Sequence, residues 1–144
     1  MNEKPEFYMH FFVANFFSKN DLYRLRKGLS DVVGLSKVIN IESSEQLKEL
    51  IDTEKRVICV DFTASWCGPC RMISPELDRL SIELEEKLVV AKVDVDECPE
   101  LAEQAGVRGM PTFVFFVEKK NVFAFAGADV DKLHHCIDTL TRDL

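Results

Sequence analysis

The residues of this chain best equipped for chemistry are the two cysteines of Trp66-Cys67-Gly68-Pro69-Cys70. Thiols separated by two residues can close into a disulfide and reopen, moving two electrons each time. The segment before them, Arg56-Val57-Ile58-Cys59-Val60-Asp61-Phe62-Thr63, reads as a buried strand, and Arg71-Met72-Ile73-Ser74-Pro75-Glu76-Leu77 after them opens an amphipathic helix. A C-x-x-C pair at such a junction, beside a βαβ pattern, reads as a redox centre. Exchange needs a thiolate that is both populated and accessible. Cys67 meets both needs if it stands at the helix N-terminus, where unpaired backbone N–H groups and the helix dipole stabilise negative charge. Two other readings of the pair stay open on the residues alone: half a zinc site and a static disulfide. Zinc takes four ligands, and no second Cys/His pair stands at suitable spacing, although His134 and His135 are adjacent. Asp61 is an acid inside an apolar run. A buried carboxylate is costly unless paired or protonated, so burial would raise its proton affinity; the alternative is a strand-end residue facing solvent.

The elements that must position these groups follow a regular pattern from Lys37 onward. Lys37–Ile41 reads as a short strand. Ser43 is a good N-cap with Gln46 three residues on, as in a capping box, and Leu47, Leu50 and Ile51 form the apolar stripe of the first helix. Strand two is Val57–Phe62, helix two runs from about Cys67 to Glu86 with Pro75 expected to kink it, and strand three is Leu88–Asp94. A short helix spans Pro99–Ala105, with Pro99 suited to its first turn and Gly106 to its stop. Thr112–Val117 and Val122–Ala126 flank the turn-like Glu118–Asn121, and Val130–Leu140 closes the chain as a helix. The order β-α-β-α-β-α-β-β-α predicts an α/β fold, a mixed sheet with helices on both faces. The near-continuous apolar runs Val57–Val60 and Phe113–Val117 suit central strands, and Val122–Ala126 an antiparallel edge.

At 144 residues, 47% hydrophobic and 30% charged, the chain is the size of one soluble domain. No run approaches the ~18 apolar residues of a membrane span. Residues 38–144 hold 12 Lys/Arg against 21 Asp/Glu, while residues 1–37 hold 6 against 4. So acidic a body argues against nucleic-acid binding. Five cysteines, three of them (Cys59, Cys98, Cys136) far apart, do not suit a secreted disulfide scaffold and point to a reducing compartment. Residues 1–36 stand apart as an extension to a domain at 37–144. The aromatic segment Phe7–Phe17 has Phe12 and Phe16 at helical spacing and reads as an amphipathic packing segment. As a signal core it would have an unusual flank, with Glu3 and Glu6 against one lysine and no small-x-small site directly after it; transit peptides are poor in acids. The expected location is the cytoplasm, with secretion the alternative if residues 7–17 act as a signal segment.

From about Lys37 to its C-terminus the chain resembles thioredoxin, most closely the animal type. The resemblance rests on Val60-Asp61-Phe62, Trp66–Cys70, Ala91-Lys92-Val93-Asp94, Met110-Pro111-Thr112-Phe113 and Phe125-Ala126-Gly127-Ala128, in that order and spacing. It implies the thioredoxin fold, a central mixed five-stranded sheet flanked by four helices. It implies a protein-disulfide reductase that maintains cell redox homeostasis, with no bound cofactor or metal. Electrons would come from NADPH through thioredoxin reductase and pass to disulfide-containing proteins, peroxiredoxins being candidates. Cys67 would attack the substrate disulfide and Cys70 resolve the mixed disulfide, leaving a Cys67–Cys70 bond. The Gly68-Pro69 dipeptide is that of strongly reducing members, which poise near about −270 mV against roughly −180 mV for protein disulfide isomerase. Asp61 would accept the Cys70 proton through water, with Lys92 as a partial charge partner. Pro111 would be cis and face the dithiol, and Trp66, Gly109, Met110, Ala126 and Gly127 would frame with it a shallow apolar groove for protein substrates. On the residues alone, Pro111 would be a trans proline opening a strand and Lys92 an ordinary surface lysine.

The same resemblance marks departures. Thr63 stands where bacterial members often carry Trp. Gly109 replaces a cysteine through which some animal members dimerise, so that regulation is not expected. Cys98 matches a thiol of some animal members and is expected to be free, open to oxidation if exposed. Cys59 is expected to be inert core, and Cys136 has no assignment.

Overall fold

The structure is a computed structural model and describes residues 36–144. The expectations for the aromatic segment Phe7–Phe17 and its targeting lie outside the described residues. In chain order the elements are β1 (Ile39–Ile41), α1 (Ser44–Thr53), β2 (Val57–Thr63), α2 (Gly68–Glu83), β3 (Leu88–Asp94), α3 (Pro99–Gln104), β4 (Thr112–Val117), β5 (Lys120–Ala126) and α4 (Val130–Thr141). The sheet order is β1-β3-β2-β4-β5. β3 runs parallel to both β1 and β2, while β4 is antiparallel to β2 and β5 antiparallel to β4. This is the expected mixed five-stranded α/β sheet, with β5 at an edge.

β2 is buried from Val57 to Phe62 because helices cover both of its faces. On one face Val57 and Cys59 pack with Leu88, Val90, Phe113 and Phe115, beneath Ile73, Leu77 and Leu80 of α2 and Leu133, Cys136 and Ile137 of α4. On the other, Ile58, Val60 and Phe62 pack with Ala91, Val93 and Val114 beneath Leu47 of α1 and Leu101 of α3. A residue in the middle of β2 therefore has no route to solvent on either side.

Element boundaries differ from the sequence reading where local bonding intervenes. β1 starts at Ile39, and Lys37 before it is held by α2 and the turn that follows: its N–H donates to Ser81 Oγ at 3.1 Å, and its ammonium pairs with Glu85. α2 ends at Glu83, and Leu84 accepts the N–H groups of Lys87 and Leu88, both at 2.8 Å, to turn the chain into β3. β5 begins two residues earlier than expected. The hairpin turns on Glu118 and Lys119 alone, at φ +48° and +69°, a two-residue geometry normally advertised by Asn or Gly. Ser43 caps α1 as expected, accepting the Gln46 N–H at 3.2 Å, and Gln46 reaches back to the Glu42 N–H at 2.7 Å.

Candidate redox site

The junction of β2 and α2 holds Cys67 and Cys70 as a disulfide, with a Cα–Cα distance of 5.3 Å. Cys67 is the N-cap of α2, and its sulfur accepts the backbone N–H of Cys70 at 3.2 Å. A sulfur at an N-cap receives the orphan donors and positive end of the helix, which favour its thiolate after reduction. One expectation is corrected here: Cys67, expected to be accessible, is buried at 5% exposure, close to the 3% of Cys70. Ala64 clusters with the pair, and Val95 and Met110 pack against that cluster. The exposed parts of the rim are Trp66, at 64%, and Pro69.

Trp66 is exposed but not loose. Its indole N–H donates to Asp96 Oδ2 at 2.8 Å. Asp96 lies in the turn after β3, where its own N–H donates to Asp94 Oδ1 at 2.8 Å and the Val95 N–H donates to the Thr63 carbonyl at 2.9 Å. Asp96 was not singled out in the sequence, where it is one acid among several in an acidic loop.

Met110-Pro111 is a cis peptide, as the resemblance implied and against the trans form expected from the residues alone. Thr112 Oγ1 donates to the Gly109 carbonyl at 2.5 Å, and the Gly127 N–H donates to the Pro111 carbonyl at 2.8 Å. Ala126 pairs with Thr112 in the β4–β5 ladder. Gly127, at φ +107°, takes a conformation that side chains rarely adopt. Of the six residues expected to frame a groove, Met110 packs on the cysteine pair. Ala126 and Gly127 are bonded to the Pro111-Thr112 segment, and Gly109 is exposed at its start.

Asp61 is 1% exposed, so it is a buried acid and not a solvent-facing strand end. It shares a face of β2 with Val57 and Cys59, and its Oδ1 is buried without a hydrogen-bond partner. Burial pushes its pKa up to about 7, against the pull of Lys92, its register partner on β3. Lys92 is half-buried, not an ordinary surface lysine, and its ammonium donates to Ser74 Oγ on α2 at 3.0 Å. Ser74 escaped the sequence reading because a serine one helical turn after Cys70 carries no signal of its own. Together the site offers a sulfur at a helix start and a carboxyl that titrates near neutrality.

The other three cysteines are free and buried. Cys98, open to oxidation only if exposed, is 1% exposed, and its thiol lies 3.8 Å from the Ile41 carbonyl. Burial raises its pKa, helped by the carboxylates of Glu100, Glu97, Asp94 and Glu42. Cys59 is core as expected, and Cys136, unassigned before, belongs to the same cluster. Among the described residues no group of three or more His, Cys, Asp or Glu is placed to hold a metal, and no helix is long and apolar enough to cross a membrane.

Comparison with known proteins agrees with this geometry. The family model described as Thioredoxin matches residues 38–139. Thioredoxin of Oryctolagus cuniculus is 41% identical over 104 residues, covering 72% of this chain and 98% of that protein. The X-ray structure of Fasciola hepatica thioredoxin superposes with a TM-score of 0.68 at 42% identity, over 71% of this chain and 98% of that one. A further solved chain has a TM-score of 0.68 at 30% identity, covering 74% of this chain and 100% of its own. It comes from work on the thiol resolving mechanism of yeast mitochondrial 1-Cys peroxiredoxin via glutathione/thioredoxin systems.

Proposed function

The chain belongs to the thioredoxin family of disulfide oxidoreductases, and from that premise we propose that it runs as a protein-disulfide reductase recharged by NADPH through thioredoxin reductase. The observation that carries this reading is the Cys67–Cys70 disulfide at the first turn of α2, with the Cys70 N–H aimed at the Cys67 sulfur. In the reduced protein the Cys67 thiolate attacks one sulfur of a substrate disulfide. The substrate S–S bond breaks, a Cys67–substrate bond forms, and the departing substrate thiolate takes a proton from water. Cys70 then gives its proton to the Asp61 carboxylate, directly or through water, and attacks Cys67. The substrate leaves as a dithiol, and the two electrons it gained equal those lost in forming Cys67–Cys70.

The Gly68-Pro69 dipeptide supports the reducing direction, and Trp66, Met110, Pro111, Ala126 and Gly127 are the residues we assign to contact with the substrate chain. Protein disulfides are the proposed substrates. Peroxiredoxins are one class, supported by the similar chain solved in work on the thiol resolving mechanism of yeast mitochondrial 1-Cys peroxiredoxin. Three unpaired thiols, Cys59, Cys98 and Cys136, support the cytoplasm as the working compartment, where the reaction would serve redox homeostasis. The test is NADPH oxidation coupled to thioredoxin reductase with a protein disulfide as acceptor. The wild type is expected to turn over, Cys67→Ser to fall to background, and Cys70→Ser to accumulate a mixed disulfide on Cys67. Full turnover by Cys67→Ser would reject the mechanism.

A further inference from the structure

Beneath the redox pair, three strands and a helix bring together a set of polar groups that is only half connected. Asp61 of β2 stands opposite Lys92 of β3 and Phe113 of β4 in the two ladders. An ammonium beside a buried carboxyl would ordinarily form an ion pair with it. Here it does not: among the described residues Asp61 has no salt bridge, and its Oδ1 has no hydrogen-bond donor at all. The Lys92 ammonium is instead spent on the hydroxyl of Ser74, at 3.0 Å. Ser74 lies in α2 four residues after Cys70, which puts the two on the same side of the helix.

We propose that Ser74 is a positioning residue of the redox reaction: its hydroxyl holds the Lys92 ammonium off the Asp61 carboxyl, which leaves that carboxyl free to exchange a proton with Cys70. A direct Lys92–Asp61 pair would fix Asp61 as a carboxylate and make it a poor base. With the ammonium parked on Ser74, the field of Lys92 reaches Asp61 only as a partial counterweight to burial. The groups around Asp61 leave few other controls. Cys59 is on its own strand, β4 offers Phe113, and α4 contributes Cys136, which acts on Cys59. From α2 comes Ser74, through its bond to the Lys92 ammonium. Lys92 is the one fixed positive charge that acts on this carboxyl, and Ser74 decides where it sits.

This inference rests on the reading of Asp61 as the proton acceptor, so its test reads Asp61 directly. The carboxyl carbon of Asp61 is titrated by NMR in the oxidised full-length protein, which needs no reductase activity. Ser74→Ala releases the ammonium toward Asp61 and is expected to lower the titration midpoint by about half to one pH unit, less than the one to three units of a full ion pair. Ser74→Thr keeps a hydroxyl and is expected to hold the wild-type midpoint. In a Lys92→Met background, Ser74→Ala is expected to move nothing. The pH profile of mixed-disulfide resolution should shift to lower pH with Ser74→Ala in the same sense. An unchanged or raised midpoint in Ser74→Ala, or an equal shift when Lys92 is absent, would overturn the proposal. If the midpoint moves as expected but Asp61→Asn resolves mixed disulfides at the wild-type rate, the positioning stands and the role of Asp61 as proton acceptor fails.

Discussion

Cys59 and Cys67 are eight residues apart and both are buried, yet the chain uses them in opposite ways. Cys59 sits in the middle of β2, its backbone tied into ladders on both sides. Among the described residues no donor bonds its sulfur. Burial first, then the neighbouring Asp61 and Cys136, pushes its pKa well above the ordinary thiol value. Cys67 sits where β2 has ended and α2 has not yet closed its first turn, and there the Cys70 N–H points at its sulfur. The difference lies less in access to water than in what the backbone presents. A strand interior offers a thiol apolar walls, whereas a helix start offers it unspent N–H groups.

The widest expected gap in that comparison is chemical reactivity. In the reduced protein at pH 7, Cys67 should be alkylated by iodoacetamide at least about 50-fold faster than Cys59, Cys98 or Cys136. A thiol at a helix start has its thiolate favoured, while the other three, raised above 9 by burial, are ~1% ionised or less. Peptide mass spectrometry over a time course measures all four rates at once. Comparable rates at Cys59 and Cys67 would break the comparison outright.

Next in size is Asp61, which belongs to the Cys59 environment by burial and to the Cys67 environment by function. Burial raises its folded pKa from the ordinary 3.8 to about 7. For an acid shifted upward, the stabilising contribution is complete below about pH 4 and is lost as pH rises through 7, because the folded state must then hold a buried charge. Asp61→Asn should therefore leave stability at pH 4 nearly unchanged. At pH 8 it should add stability, with about 4 kcal/mol as the upper bound at 1.36 kcal/mol per pKa unit. The same substitution should slow resolution of the mixed disulfide by about 10-fold at pH 7, below the usual range for a lost general base because water can substitute. Denaturant melts at the two pH values, together with trapping of the mixed disulfide, test both halves.

Much of this was legible in the sequence, for identifiable reasons. Asp61 within Val57–Phe62 could be read because an acid in an otherwise apolar run breaks the pattern of a doubly covered strand. The pair Cys67 and Cys70 could be read because their spacing, with a strand before and a helix after, fits few other purposes. Asp96 and Ser74 could not. An acid in an acidic loop and a serine within a helix break no pattern, and only the fold shows that Trp66 and Lys92 end on them. The hairpin at Glu118 and Lys119 is shorter than its sequence suggests for a related reason. Its positive φ angles are imposed by the pairing of β4 with β5, and neither residue announces them. The near-equal burial of Cys67 and Cys70 is likewise a packing result, set by Ala64, Val95 and Met110 from three separate segments.

A smaller effect separates the two environments by stability. Cys59→Ser places a hydroxyl where no partner waits, and should cost about 1–3 kcal/mol. Turnover per folded molecule should stay at the wild-type value, because Cys59 takes no part in exchange. Cys136, at 8% exposure, has water closer by, and Cys136→Ser should cost less than Cys59→Ser. Thermal melts read alongside the coupled reductase assay distinguish a stability loss from a catalytic one. A loss of turnover in folded Cys59→Ser would move Cys59 into the redox site.

The smallest expected effect concerns the rim, and it asks whether the position of Trp66 or the helix end governs Cys67. Trp66 is the single tryptophan of the chain, so its fluorescence reports the rim without labelling. Asp96→Ala removes the carboxylate that receives the indole N–H and should free the ring, lowering its fluorescence anisotropy. The lost hydrogen bond is solvent-exposed, worth about 1 kcal/mol or less, and its removal should reduce kcat/KM for a protein disulfide by about 2–3-fold. The alkylation rate of Cys67 should change by less than about 2-fold, because the donor that stabilises its thiolate comes from Cys70 and not from the rim. Should Asp96→Ala instead slow Cys67 alkylation as strongly as it slows protein reduction, the thiol's reactivity would depend on the placement of Trp66. The contrast between Cys59 and Cys67 would then rest on a surface contact and not on the start of α2.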